Sequence, residues 1–149
     1  MKVYLGRAVT GELGPRSLEA IQLAHRALRE LGAQILCERV ADPDYRPGID
    51  RPQLIGEMMR RELGEADAGC FEATGRSTGV GFEAGWLVGR KRPVLFLYDA
   101  DAPPASAVVL HPVFDNCLAV PYRDLMEIDP AVRTFCATIA PYLSVQAEA

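Results

Sequence analysis

The run STGVGFEAG at residues 77–85 holds one acid, Glu83, among glycines and apolar side chains. A carboxylate in such company is partly desolvated, and desolvation makes an acid usable as a nucleophile or proton shuttle. The helix dipole alone also favours an acid in the first turns of a helix, so position leaves both explanations open. Ser77 and Thr78 have side chains that cap helices, and free N–H groups at Thr78–Val80 would attract an anion. Gly79 and Gly81 open room beside the chain.

The second stretch with chemical potential is GRAVTGELG, residues 6–14, where glycines bring backbone N–H groups close to a ligand and Arg7 offers a cation. No lysine follows Gly11, which excludes a triphosphate-binding loop, and Val9 stands where a dinucleotide fingerprint needs its first glycine. Tyr45 and Arg46, on the proline-rich loop ADPDYRPGIDRP at 41–52, have side chains suited to stacking and to holding an anion, and read equally well as solvated loop residues. His111 has no sequence neighbour to orient or tune it. Met58 and Met59 read as core filler.

These residues need elements to position them. KVYLG at 2–6 reads as a first strand, and Ser17–Leu31 places apolar residues at spacings of three and four, the mark of an amphipathic helix stopped by Gly32. QILC at 34–37 is a second strand and Gln53–Leu63 a helix. A third strand runs near Ala68–Ala73, with Glu72 its only charge, and a helix from about Gly79 carries Phe82–Val88. PVLFLY at 93–98 and CLAV at 117–120 are the fourth and fifth strands. Asp129–Ala140 closes the chain as a helix with Asp129 as its N-cap and Pro130 in its first turn. Strands separated by helices and lacking polar alternation predict a three-layer α/β/α fold around a five-stranded parallel sheet of flavodoxin-like order, one domain over residues 1–149. Ligands of such sheets lie beyond the carboxyl ends of the strands, where both glycine-bearing loops fall.

Composition narrows the function classes. A net charge of −4 argues against phosphate-backbone binding to nucleic acid. No apolar run reaches the roughly 20 residues of a membrane span, and the N-terminus has no long apolar stretch of a signal peptide. The four cysteines form no CxxC and two histidines supply no metal-ligand spacing, so reduced thiols, no metal, no cofactor and a cytoplasmic protein are expected.

The stretch EADAGCFEATGRSTGVGFEAGWLVGRKRPVLFLY, preceded by KVYLG, resembles the nucleoside 2-deoxyribosyltransferase superfamily, most closely its nucleoside 5′-monophosphate N-glycosidase branch. The likeness rests on Ala66-Asp67, Glu72, the segment Gly79-Val80-Gly81-Phe82-Glu83-Ala84-Gly85, and Arg92-Pro93-Val94. It implies that Glu83 attacks an anomeric carbon with Tyr4 beside it, as in a retaining glycosidase, and that water or a second base completes the reaction. It further implies a substrate cradle of Gly6, Arg7, Val9, Gly11, Ser77, Gly79 and Ser106, with Ser106 supplied by the partner of a homodimer with shared sites. The expected substrate is a nucleoside or nucleoside 5′-monophosphate. Transfer to a second base, or nucleotide binding without turnover, are the alternatives. The chain departs from the family pattern at Ala8 and Thr10, where a serine and an arginine are usual, and at Met59, where an aspartate is usual. Glu57, two residues earlier on the same helix, points to a different side.

Overall fold

The computed structural model describes residues 1–10, 13–46, 52–103 and 106–147. Five strands, β1 (Lys2–Arg7), β2 (Gln34–Leu36), β3 (Ala68–Glu72), β4 (Val94–Asp99) and β5 (Cys117–Tyr122), form one parallel sheet in the order β2-β1-β3-β4-β5. The connecting helices are α1 (Ser17–Glu30), α2 (Pro52–Glu65), α3 (Thr78–Gly89), the single turn α4 (Ala107–Leu110) and α5 (Ile128–Ala147). This is the flavodoxin-like α/β architecture expected.

The apolar runs of β1, β3 and β4 are buried almost throughout, as strands covered by helices on both sides must be. Side chains alternate across the sheet. Tyr4, Gly6, Gly69 and Phe71 share the face toward α3, where a side chain at Gly69 would strike Leu87. Leu5, Arg7, Cys70 and Glu72 share the opposite face, which α1 and α5 cover together. Helix α1 turns Ala20, Ile21, Ala24, Ala27 and Leu28 inward and is followed by Gly32 at φ 73°. No helix among the described residues is long and apolar enough to cross a membrane.

Several boundaries differ from expectation for local reasons. Asp129 is not the cap of the last helix. Asp124 accepts the N–H of Met126 at 2.9 Å and starts a 3-10 turn, Leu125–Glu127, that runs directly into α5 at Ile128. Asp129 lies inside the first turn and pairs with Arg133 at 2.8 Å. The helix then continues through Pro141 to Ala147, past the expected end at Ala140. Cys37 leaves the second strand in a left-handed conformation, φ 62°, and opens a 3-10 turn at Glu38–Ala41. The middle of the proline-rich loop, 47–51, lies outside the described residues. All four cysteines are free thiols.

Candidate active site

Helix α3 begins where it does because the Ser77 Oγ accepts the Val80 N–H at 3.3 Å, satisfying one of the amide donors that every helix start leaves unpaired. Side chains of a helix lean toward its N-terminus, so Glu83, in the second turn, reaches back toward the carboxyl end of β1. There the hydroxyl of the fully buried Tyr4 donates to Glu83 Oε1 at 2.9 Å. Gly6 lies two residues further along the same face. A Cβ built on it would come within 2.5 Å of the Phe71 ring and 3.2 Å of Glu83 Oε2. The glycine therefore keeps clear the second oxygen of the carboxylate whose first oxygen Tyr4 holds.

Burial pushes the Glu83 carboxyl up to about 7, against the opposing pull of the Tyr4 hydroxyl and the Arg39 guanidinium, while Glu62 adds to the rise. Burial also carries the Tyr4 phenol well above its ordinary value, so it stays a donor throughout the physiological range. Burial likewise lifts the nearby Cys37 thiol to about 12, so it stays neutral. The phenol has one proton and gives it to Glu83. The two charges that act on Glu83, Arg39 from the turn after β2 and Glu62 from α2, are joined to each other by two hydrogen bonds of 2.8 and 2.7 Å. The arrangement is a desolvated carboxylate with one oxygen fixed and one accessible, titrating near neutrality, which suits nucleophilic attack on a carbon electrophile.

A second polar cluster ties down the neighbouring strand ends. Glu72, fully buried, accepts hydrogen bonds through Oε1 from the Thr74 hydroxyl and, at 2.9 Å, from Tyr122. Thr74 Oγ1 also receives the Asp99 N–H at 2.8 Å, and Asp99 is gripped by Arg16 through bonds of 2.6 and 2.8 Å. Arg16 precedes α1, so this network anchors the far end of the first loop to β3 and β4.

The remaining expected residues fall in several places. Arg7 donates to the carbonyls of Val40 at 2.7 Å and Ala8 at 2.9 Å, stapling the first loop to the turn after β2. Val9 packs half-buried against the core, and Gly11 lies outside the described residues. A Cβ on Gly79 would meet only the Ser77 hydroxyl, at 3.7 Å, so the start of α3 is open. Ser106 is exposed just before α4 and shares with Ser77 a groove of about 210 Å³ on the β4–β5 side of α3, floored by Val80, Ala84 and Phe96. Tyr45 packs against the core, Arg46 donates to the carbonyls of Pro43 and Tyr45, and His111 ends α4 exposed. Met59 packs against the core and Glu57 is exposed. No cluster of three metal-ligating side chains exists among the described residues. Sequence reading missed Arg39 and Glu62. They are 23 residues apart on elements of ordinary pattern, and nothing short of the fold brings them together.

No family profile matches the chain. Individual relatives do. It is 34% identical over 113 residues to a Methanosarcina mazei protein provisionally named 2′-deoxynucleoside 5′-phosphate N-hydrolase 1, covering 74% of this chain and 68% of that one. A Methanosarcina barkeri protein of the same name is 32% identical over 138 residues, covering 90% and 84%. Among solved structures, a CMP N-glycosidase of Clostridium botulinum superposes with a TM-score of 0.62 at 16% identity, covering 89% of this chain and 99% of the other, a likeness of fold.

Proposed function

The chain belongs to the family of 2′-deoxynucleoside 5′-phosphate N-hydrolases, and on that premise we propose that it hydrolyses the N-glycosidic bond of a 2′-deoxynucleoside 5′-monophosphate with Glu83 as nucleophile. The free oxygen of ionised Glu83 attacks C1′ of the sugar. The C1′–N bond breaks, its electron pair leaves with the base, and the base takes up a proton. Water then attacks C1′ of the glycosyl ester and gives up a proton to solvent, which balances the one the base took up, releasing 2-deoxyribose 5-phosphate and restoring the carboxylate. Tyr4 orients Glu83 and remains its hydrogen-bond donor, and Gly6 leaves the space the sugar needs. The 5′-phosphate is received by the Ser77 hydroxyl and the unpaired N–H groups of Thr78 and Gly79, where the helix start favours an anion.

The observation that carries this reading is the 2.9 Å bond from Tyr4 to Glu83 Oε1, with Oε2 left open beneath Gly6. It is tested by incubating the protein with the four 2′-deoxynucleoside 5′-monophosphates, with the parent nucleosides, and with a second free base added. Release of base and sugar phosphate by the native chain and not by Glu83→Gln is expected. Incorporation of the added base identifies a transferase instead, and thermal stabilisation without turnover identifies a binding protein. Equal release by Glu83→Gln removes Glu83 from the mechanism.

The assembly we infer is a homodimer with shared sites. Phe82, Val108 and Phe114 are 58%, 70% and 54% exposed, and Val108 and Phe114 border the groove that holds Ser77 and Ser106. Clustered exposed apolar side chains of this kind favour a protein partner. Four free thiols fit a reducing compartment such as the cytoplasm.

A further inference from the structure

Most of the arginines near the carboxyl ends of the strands are already committed within the fold. Arg7 donates to the Val40 and Ala8 carbonyls and Arg46 to those of Pro43 and Tyr45. Arg16 grips Asp99, Arg39 is clamped to Glu62, and Arg123 donates to Asp101. Arg76 differs. It is exposed in the short loop from β3 to α3, one residue before Ser77, and has no hydrogen bond or ion pair among the described residues.

An exposed guanidinium stays hydrated, so lacking a partner is by itself no sign of function. Its position says more. Arg76 stands between two clefts and lines both. One is the groove of about 210 Å³ that holds Ser77 and Ser106. The other, of about 390 Å³, lies between Gly14 and Pro15 of the first loop and Ala102 and Pro103 after β4. Every other described residue that lines either cleft is uncharged. An anion entering either one therefore meets a single positive group, whose five N–H donors are unspent. The first loop offers no equivalent, since Thr10 stands where the family pattern has arginine and Arg7 is bound to carbonyls. Ser77 and Glu83 are separated by about 9 Å of helical rise, and the Glu83 side chain leans back toward the Ser77 end. A ligand with its C1′ at Glu83 and its phosphate at Ser77 bridges that span and brings the phosphate beside Arg76.

We propose that Arg76 is the specificity-determining residue of the site, its guanidinium pairing with the 5′-phosphate and so selecting nucleoside 5′-monophosphates over nucleosides. The proposal rests on the reading of Glu83 and Ser77 given above, and it assigns the phosphate-binding cation to the loop before α3 instead of the first loop. A guanidinium meets a phosphate through two parallel N–H···O bonds, a geometry an ammonium lacks.

Arg76 holds no other side chain in place, so Arg76→Gln is expected to fold and to melt with the native chain. In that variant the ratio of kcat/KM for a monophosphate to kcat/KM for its parent nucleoside falls about tenfold. Arg76→Lys keeps the charge, loses the fork, and falls between the two. Calorimetric titration with 2-deoxyribose 5-phosphate and with 2-deoxyribose reads the same contact without turnover. The native chain binds the sugar phosphate more tightly than the sugar, and Arg76→Gln raises the Kd of the sugar phosphate about tenfold. If the ratio and that Kd stay at native values in Arg76→Gln, or if nucleosides and monophosphates weaken alike, Arg76 does not read the phosphate and the proposal is overturned. If the native chain releases no base from any substrate, the proposed activity fails, and the sugar-phosphate titration still decides for or against Arg76.

Discussion

At the scale of the residue, the proposed role of Glu83 sets function against stability. Its carboxyl titrates near 7 in the folded chain against an ordinary 4.5, with burial the main cause. Between those values the folded state holds a proton that the unfolded state has released, so stability falls as pH rises through that window and the full penalty is present above it. For a shift of this size the penalty is about 3 kcal/mol. Glu83→Gln keeps an oxygen that can accept from Tyr4 and carries no charge. It is therefore expected to melt above the native protein at pH 8, with the difference shrinking toward zero at pH 4.5. Scanning calorimetry at several pH values checks this, and a difference that does not vary with pH would show that the charge is not desolvated as described. On the proposed reading, Glu83 is a catalytic group that destabilises its own fold, a common trade between activity and stability.

At the scale of the element, α3 is scaffold and, on the proposed reading, ligand surface as well. Its first turn is closed by Ser77, whose hydroxyl has one partner in the Val80 amide and capacity for another. Ser77→Ala is expected to lower stability by about 1 kcal/mol, the usual cost of losing an N-cap. If the same hydroxyl receives the substrate phosphate, KM rises for monophosphates and not for nucleosides lacking the phosphate. Steady-state kinetics on the two substrate sets separate these roles, since a purely structural cap would move both alike.

At the scale of the molecule, the exposed apolar side chains around the groove between α3 and α4 lead to an expected dimer. Val108→Glu places a charge on a side chain that is 70% exposed, which a monomer tolerates with little change in stability. Sedimentation equilibrium is expected to show a dimer for the native chain and a monomer for this variant. Activity should fall with the dimer if Ser106 is shared across the interface.

Much of the fold was legible in the chain itself. Uninterrupted apolar runs at β1, β3 and β4, amphipathic spacing in α1 and glycine at its end are local signals, and they determine elements, their order and a parallel sheet. Glu83 was legible too, because an acid among glycines at a strand-to-helix turn is conspicuous without any fold. Where the signal depended on distant partners, reading failed. Asp129 looked like a cap until Asp124 proved to start the turn before it, and Arg39 with Glu62 left no trace in either segment. The sequence determined which groups exist and the elements that carry them. Tertiary structure decided that Tyr4, 79 residues from Glu83 and expected beside it only through the family resemblance, holds one of its oxygens, and that Arg39 and Glu62 clamp each other. Hydrogen bonds and charge interactions act over a few ångströms of space, and the spacing of residues along the chain does not encode that distance.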